Sequence, residues 1–332
     1  MLALAPFQAL ISISSVVSVV SVVPAFAVAD AYAQSFPSRT ITIVVPFTPA
    51  TGADIIARLV APRLAEKLGA AVVVENKPGA SGAIGTDFVA KSAPDGHTLL
   101  FTATAHGTVP ALKRNLPYDP VRSFTPVALA ATSALAFVVA PQPGITRFGD
   151  FVAAVKKQPG ALHYSSPGNG TPQHLTMELV KLETGIDVAH VPYKGSAGAM
   201  TDLVGGHVQA TIAALQTAAA FVTSGRMRML AVMSEARSPA FPDVPTMKEL
   251  GHPNLVVETW YGVLAPAGTP PDAVSRLNAA INEALQAPEV REAMAKQGQA
   301  IVIDKPERLG ILLAQELERW NRVVASAKIT GD

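Results

Sequence analysis

The 332-residue chain contains no cysteine, and only 15% of its residues are charged. The absence of cysteine excludes disulfides, thiolate metal ligands, iron–sulfur clusters and cysteine nucleophiles. The 26 basic and 25 acidic side chains leave a formal net charge of +1, and no basic run occurs, so nucleic acid is not expected as a partner. Hydrophobic residues make up 49% of the chain, which is too apolar for a disordered protein, and the length predicts about two domains. A thiol-free enzyme, a binding protein and a structural module remain.

The motifs of common catalytic and cofactor sites are also missing. The seven histidines have none of the H-x-H, H-x-x-x-H or H-E-x-x-H spacings of metal sites, so no metal or cofactor is predicted. The segment from Gly168 begins like a dinucleotide-binding fingerprint, but Gln173 replaces its third glycine. The nucleophile elbow G-x-S-x-G is missed by one residue around Ser81. A hydrolase that uses the serines at 165–166 with His174 stays open as an alternative; otherwise no catalytic residue is predicted.

The N-terminal segment differs from the rest of the chain. Residues 11–23 form an uncharged, mostly apolar run of 13. This run is shorter than the roughly 20 residues that span a bilayer, but it is typical of an export signal. Small-residue cleavage sites follow at 25–27 and 31–33. We therefore expect a signal peptide over residues 1–33, cleaved near Ala33, although it lacks the usual basic residues; a buried or disordered N-terminus is the alternative.

From residue 41 onward, apolar runs typical of buried strands alternate with helical segments. The first strand (41–47) precedes a small-residue loop and a helix over 54–68 that ends at Gly69. Pro62 is expected to kink or interrupt this helix, and Asp54 is a candidate for its N-cap. Later strands are expected at 71–75, 97–101, 135–140, 162–165, 188–191, 208–213, 229–232 and 259–264. This alternation predicts an α/β protein with mainly parallel sheets.

Landmarks of the chain recur at an offset of 116 residues. The glycines at 52, 69, 79 and 82 are matched by glycines at 168, 185, 195 and 198. The shared order of elements predicts two similar lobes that face each other. The alternative is that the glycines recur only because they commonly occur at the turns of β-α-β units. Chain crossings expected near 136–140 and 259–264 predict a two-stranded hinge beside a cleft. The expected lobes are residues 34–137 together with 262–332, and residues 138–261.

Two loops of small residues, 46–54 and 165–173, each lie between a strand and a helix. Backbone amides at the start of a helix, together with the helix dipole, bind a carboxylate or phosphate without a fixed cation. Ordinary tight turns are the alternative. Tyr193 follows a later strand, where it can close over a bound ligand, and His174 is a candidate for facing the cleft.

Together these residues resemble the receptors of the tripartite tricarboxylate transporter family, also called Bug solute-binding proteins. The matching segments extend over nearly the whole mature chain: 43–47, 73–79, 93–96, 116–120, 165–171, 190–195, 237–246 and 264–270. The resemblance implies a periplasmic receptor with the two-lobed fold of type II periplasmic binding proteins. Such a receptor closes on a small organic carboxylate and hands it to a two-subunit membrane permease, without enzymatic activity or cofactor. We expect a monomer. A co-sensor for a signalling protein, using the same cleft, is the alternative.

The resemblance also implies which residues bind the ligand. In the first lobe these are Phe47, Thr48, Pro49, Ala50, Thr51 and Asp54, with Gly82, Ala83, Ile84, Thr102 and Thr104 nearby. In the second lobe they are Ser165, Gly168, Asn169, Gly170, Thr171, Gln173, His174 and Tyr193. One departure from the family pattern concerns the ligand, because Ala213 and Ala214 stand where an aspartate is common. That aspartate offers a partner for an amino group, so we expect a carboxylate without an ammonium group.

Overall fold

The computed structural model describes residues 1–2, 36–49, 51–113, 115–193 and 195–329. The predicted signal peptide lies outside the described residues except for its first two, and the predicted ligand-binding residue Ala50 also lies outside them. Residues 35–332 form one compact unit by their contacts, and the fold below is that of this unit. No helix in the described part of the chain is both long and apolar enough to cross a bilayer.

The first lobe begins with parallel strands that alternate with helices. Its elements are β1 (Ile41–Val45), α1 (Gly52–Leu68), β2 (Val72–Asn76), a 3₁₀ turn (Ala80–Gly82), α2 (Ala83–Ala90), β3 (Thr98–Ala103), α3 (Ala105–Leu112) and β4 (Phe124–Val139). Strand β1 pairs in parallel with β2 and with β3. Four of its five residues are buried, as expected for a strand covered by helices on both faces.

The second lobe repeats this arrangement. Its elements are α4 (Phe148–Lys157), β5 (His163–Ser166), α5 (Pro172–Thr184), β6 (Ala189–Pro192), α6 (Ser196–Val204), β7 (Ala210–Ala214), α7 (Leu215–Thr223) and β8 (Arg228–Val232). Strand β5 pairs in parallel with β6 and β7, as β1 does with β2 and β3. The chain then continues through β9 (Glu258–Pro266), α8 (Pro271–Gln286), α9 (Pro288–Lys296), β10 (Ala300–Ile301) and α10 (Pro306–Ala327).

Strands β4 and β9 connect the two lobes. The first part of β4 pairs antiparallel with β9, and its last residues pair antiparallel with β7 and β8. The strand order is β2-β1-β3-β9-β4-β7-β5-β6. The predicted crossings near 136–140 and 259–264 are therefore confirmed. The sheets are mixed, because the parallel outer strands meet antiparallel crossing strands.

Strand β4 is much longer than expected, since it begins at Phe124 rather than at residue 135. Its early part is rich in alanine, threonine and serine, and alanine is depleted in strands generally. Several of these alanines, among them Ala128 and Ala130, are fully buried. Close packing in the sheet interior therefore overrides the weak local preference.

The glycine repeat is confirmed at two of its four positions. Gly69 and Gly185 end α1 and α5 with nearly identical left-handed conformations, at φ values of 65° and 66°. Gly79 and Gly195 precede α2 and α6 with φ values of 130° and 113°. The other pairs differ: Gly52 is the first residue of α1, whereas Gly168 lies in the loop before α5; Gly82 precedes α2, whereas its match lies inside α6.

Helix α1 differs from the sequence expectation in two ways. It is continuous through Pro62, so Pro62 does not interrupt it, and the expected kink stays a prediction. The proline is exposed, and water can therefore satisfy the carbonyl that loses its helical donor. The helix also begins earlier, after Thr51, so Asp54 lies in its first turn and is not the N-cap.

Helix α10 packs against both lobes. Leu309 and Leu313 join a buried cluster with β1 and β9 residues, whereas Trp320 and Val323 join the core of the second lobe around Tyr164. The division of the chain into 34–137 with 262–332 and 138–261 stays a prediction. The end of α10 departs from this division, because its buried side chains Trp320 and Val323 lie in the core of the second lobe.

Candidate functional site

The first-lobe loop is held by three polar side chains from the elements around it. The Asn76 amide at the end of β2 donates to the Phe47 carbonyl at 3.1 Å and to Asp54 Oδ1 at 2.8 Å. Arg58 donates from Nε to Asp54 Oδ1 at 3.0 Å and from Nη2 to Asn76 Oδ1 at 2.7 Å. Asp54 is only 3% exposed. Its carboxylate therefore anchors the loop to α1 and β2.

The N-terminus of α1 is left without a side-chain cap. Thr51 makes no capping hydrogen bond, and its hydroxyl donates instead to the Thr48 carbonyl at 3.1 Å. In the described part of the chain, the amides of Gly52 and Ala53 have no protein acceptor. A Cβ on Gly52 would lie 2.5 Å from the Tyr261 hydroxyl oxygen, so glycine lets this phenol approach the helix end. Free amides, the helix dipole and a nearby hydroxyl together favour an anion here.

The remaining first-lobe candidates lie at the start of α2 and at the end of β3. A Cβ on Gly82, at a φ of 94°, would lie 3.3 Å from the Phe47 ring, so the start of α2 packs under the loop. Ala83 is buried beside it, whereas Ile84 is 56% exposed. Thr104 accepts a hydrogen bond from the Trp260 amide at 2.8 Å, and Thr102 is 1% exposed in β3. Thr104 thus bonds the backbone of β9, and Thr102 is buried in the sheet.

The second-lobe loop is held by its own side chains. The Ser166 hydroxyl accepts from the Gly168 amide at 3.2 Å. The Thr171 hydroxyl donates to the Gly168 carbonyl at 2.8 Å and caps α5 by accepting from the His174 amide at 3.4 Å. The Gly170 amide donates to His174 Nδ1 at 3.0 Å. Among the described residues, the amides of Asn169 and Gln173 have no protein acceptor.

Behind this loop lies a stack of aromatic rings. The imidazoles of His174 and His190 lie 4.0 Å apart with planes 9° from parallel, and Tyr164 stacks on His190 at 4.7 Å. Burial lowers the pKa of each of the two histidines to about 4, so both are neutral at physiological pH. His190 Nε2 contacts the Ser166 hydroxyl at 2.7 Å, and the Tyr164 hydroxyl donates to Glu178 at 2.6 Å.

The hydrolase alternative does not match this geometry. Ser166, which contacts an imidazole, is fully buried, and that imidazole belongs to His190 rather than to His174. The Ser165 hydroxyl donates to the Ala199 carbonyl at 3.2 Å. The hydroxyls of both serines therefore form hydrogen bonds with other groups of the second lobe, and among the described residues neither is hydrogen-bonded to His174.

Two further second-lobe candidates, Tyr193 and Gln173, have contacts outside the loop. The Tyr193 hydroxyl donates to Asp202 on α6, and this bond raises the pKa of the phenol to about 12. Gln173 lines a small cavity of about 20 Å³ together with Ala213, Ala214 and residues of α6 and α7. A larger cavity is lined by Asn169, Gly170 and Thr171 together with residues of helix α3.

Several residues of the site were not among the sequence candidates. Asn76 and Arg58 support the first-lobe loop, His190 supports the second-lobe loop, and Tyr261 lies close to Gly52. Two of the four, Asn76 and His190, lie in segments that carry the family resemblance. The resemblance in those segments could have identified these two residues as candidates. It could not have identified their hydrogen-bond partners, because the contacts join residues from different elements.

Comparisons with known proteins agree with this architecture. The sequence profile of the family described as "Tripartite tricarboxylate transporter family receptor" matches residues 56–329. The chain belongs to this family. Protein BugT of Bordetella pertussis is 40% identical over 298 residues, which cover 89% of this chain and 91% of that protein.

Solved structures of similar proteins extend the comparison. An R. palustris protein solved with adipate is 33% identical, with a TM-score of 0.71 over 90% of this chain and 100% of that one. The Rhodopseudomonas palustris protein MatC, solved with bound malate, is 33% identical, with a TM-score of 0.67 over 87% of this chain and 100% of that one. The predicted α/β fold with two lobes is thereby confirmed. Members of this receptor family are periplasmic solute-binding proteins that bind their solutes without chemical conversion.

Proposed function

We propose that the protein captures a small organic carboxylate between the loops 47–54 and 165–173 and delivers it to a two-subunit membrane permease. The observation that carries this proposal is a pair of helix N-termini, α1 and α5, each placed after a short loop. Each has amides without a protein acceptor in the part of the chain that the structure describes. Backbone amides at helix ends bind anions without a fixed cation. Export to the periplasm, with cleavage near Ala33, and a monomeric state belong to the same proposal.

The proposed ligand is a carboxylate without an ammonium group. The small cavity beside Gln173 is lined by Ala213 and Ala214. The described residues around it contribute hydroxyl and amide side chains but no carboxylate. A buried ammonium without an anionic partner is strongly disfavoured. Two relatives were solved with adipate and malate, which are dicarboxylates without amino groups.

Binding and release are proposed to follow from closure of the two lobes. A ligand that contacts both loops binds the closed form better than the open form, and it shifts the equilibrium only by that difference. Closure excludes water, and each hydrogen bond to the carboxylate becomes stronger in the less polar surroundings.

The test is a thermal unfolding panel on residues 34–332, unfolded and refolded to remove carried-over ligand. Malate and aspartate form the decisive pair, because they share a carbon skeleton and differ in a hydroxyl against an ammonium group. At a hundred times its dissociation constant, a bound ligand adds about 2.7 kcal/mol to the free energy of unfolding. A rise in midpoint of several degrees with malate, adipate or another carboxylate supports the proposal.

Two outcomes contradict it. A larger rise with aspartate than with malate overturns the ammonium-free ligand. No rise with any carboxylate, in protein shown by circular dichroism to be refolded, overturns carboxylate capture and favours another solute class.

A further inference from the structure

A cavity of about 320 Å³ lies between helix α3 and the loop that precedes α5. Helix α3 contributes Ala105, Thr108, Val109 and Leu112, which recur at the spacing of a single helix face. The second lobe contributes residues 169–172. The packing at this contact is close, because a Cβ on Gly170 would lie 2.4 Å from Leu112 Cδ1. The cavity is therefore lined by both lobes and borders the loop amides already described.

Thr108 carries an unused hydroxyl into this cavity. The residue is 1% exposed and lines the cavity, and within the described residues its hydroxyl makes no hydrogen bond. A hydroxyl that lines a cavity can donate its proton to a ligand atom there.

Lys113 supplies a cation at the same place. It follows α3 directly, lines the cavity, and makes no ion pair in the described part of the chain. Two other basic side chains near the loops are paired: Arg58 with Asp54, and Lys181 with Glu178. The ammonium of Lys113 is thus available to an anion in the cavity.

Ser81 completes the polar lining from a strained segment. Ala80 and Ser81 have φ values of 48° and 59°, in the left-handed region that favours glycine. Such strain concentrates where a structure holds a residue for a purpose beyond packing. Here the strained residue Ser81 lines the cavity, as does Asn169.

We propose that this cavity binds the second carboxylate of a dicarboxylate, with Lys113 as its cation and Thr108 and Ser81 as hydroxyl donors. The inference rests on the proposed function, in which the loop amides bind the first carboxylate. Asn169 lies at the junction, because it belongs to the loop and also lines the cavity. Ala105, Val109 and Leu112 offer an apolar surface to the methylene chain between the two charges.

The test compares adipate with hexanoate, which have the same number of carbons and differ by one carboxylate. Dissociation constants are measured by titration calorimetry on residues 34–332, for the wild type, Lys113→Met and Thr108→Val. The control is Lys157→Met, which removes the same charge from an exposed position on α4 outside the cavity. A charge-assisted contact predicts that Lys113→Met weakens adipate binding about tenfold and hexanoate binding less than about twofold. Thr108→Val is expected to weaken adipate about threefold.

Different outcomes separate this inference from the function on which it rests. If adipate binds to the wild type and Lys113→Met changes its affinity no more than Lys157→Met does, the second-carboxylate site is overturned while carboxylate capture stands. Equal weakening of adipate and hexanoate, or binding of hexanoate without adipate, also overturns it. If neither acid binds to the refolded wild type and no other carboxylate raises its unfolding midpoint, the proposed function itself is contradicted.

Discussion

The two loops that face the proposed ligand have the same place in the fold but are supported differently. The first-lobe loop is held from outside, by Asn76 on β2 and by the Asp54–Arg58 pair on α1. The second-lobe loop is held mainly by its own hydroxyls and by the imidazole behind it. One loop thus depends on a carboxylate and its donors, and the other on neutral side chains.

The difference extends to the helix ends. Thr171 caps α5 with its side chain, whereas Thr51 does not cap α1. At the offset of 116 residues, Asn76, Asp54 and Arg58 correspond to Pro192, Gly170 and His174. The two lobes therefore share the glycine pairs 69/185 and 79/195, which shape the backbone, but not the polar groups that hold the loops. The similar topology places each loop before a helix N-terminus, and each lobe holds its loop there with different side chains.

The largest expected effect comes from breaking the first-lobe support with Asn76→Ala. The change removes a donor to the Phe47 carbonyl, a donor to the buried Asp54 carboxylate and an acceptor for Arg58. Loss of a hydrogen bond to a buried charge predicts a fall of about 2 kcal/mol in the free energy of unfolding, measured with urea.

The matched control is Asn254→Ala, because the Asn254 amide donates to Glu183 at an exposed position. We expect a change within about 0.5 kcal/mol there. Equal effects of the two substitutions would show that the first-lobe loop does not depend on Asn76.

Acid is expected to act on the second-lobe support. The folded pKa values of His174 and His190 are lowered by burial to about 4, below the unfolded value of about 6.5. Between these values the unfolded chain binds more protons, so the free energy of unfolding falls as the pH is lowered from about 6.5 towards 4. The groups that face this pair are Tyr164, Glu178 and Lys181.

His174→Asn should make that fall shallower, since one of the titrating groups is removed. His106, whose pKa is also lowered to about 4 by burial, retains its contribution in the variant. Urea unfolding at a series of pH values checks the slope, and His163→Asn, at an exposed position, serves as the control. A slope identical to the wild type in His174→Asn would contradict the role given to this imidazole.

The sequence predicted the backbone of the molecule better than its contacts. Strand positions, the chain crossings and the left-handed glycines at 69 and 185 follow from local patterns, because apolar runs and C-cap glycines act within a few residues. The early part of β4 was missed because its alanines are favoured by packing between strands rather than by their own preference.

The site was only partly predictable for a similar reason. The loops 47–54 and 165–173 were marked by small residues before helices, and both lie at helix N-termini in the structure. Their supports join distant positions: Asn76 reaches Asp54, and His190 reaches Ser166. Lys113 and Thr108 carry no motif at all, and only the packing of α3 against the second lobe places them at a cavity.

The smallest expected effect compares the two helix caps directly. In Thr171→Ala, α5 loses its side-chain cap and the hydroxyl that bonds the Gly168 carbonyl. The loss of an N-cap predicts a decrease of about 1 kcal/mol in the free energy of unfolding. In Thr51→Ala, only the exposed bond to the Thr48 carbonyl is lost, so the decrease should be at most about 0.5 kcal/mol. Urea unfolding of both variants under one condition measures the difference. If Thr51→Ala cost as much as Thr171→Ala, the N-terminus of α1 would be capped after all, and the bare amides proposed to attract the carboxylate would have a protein partner.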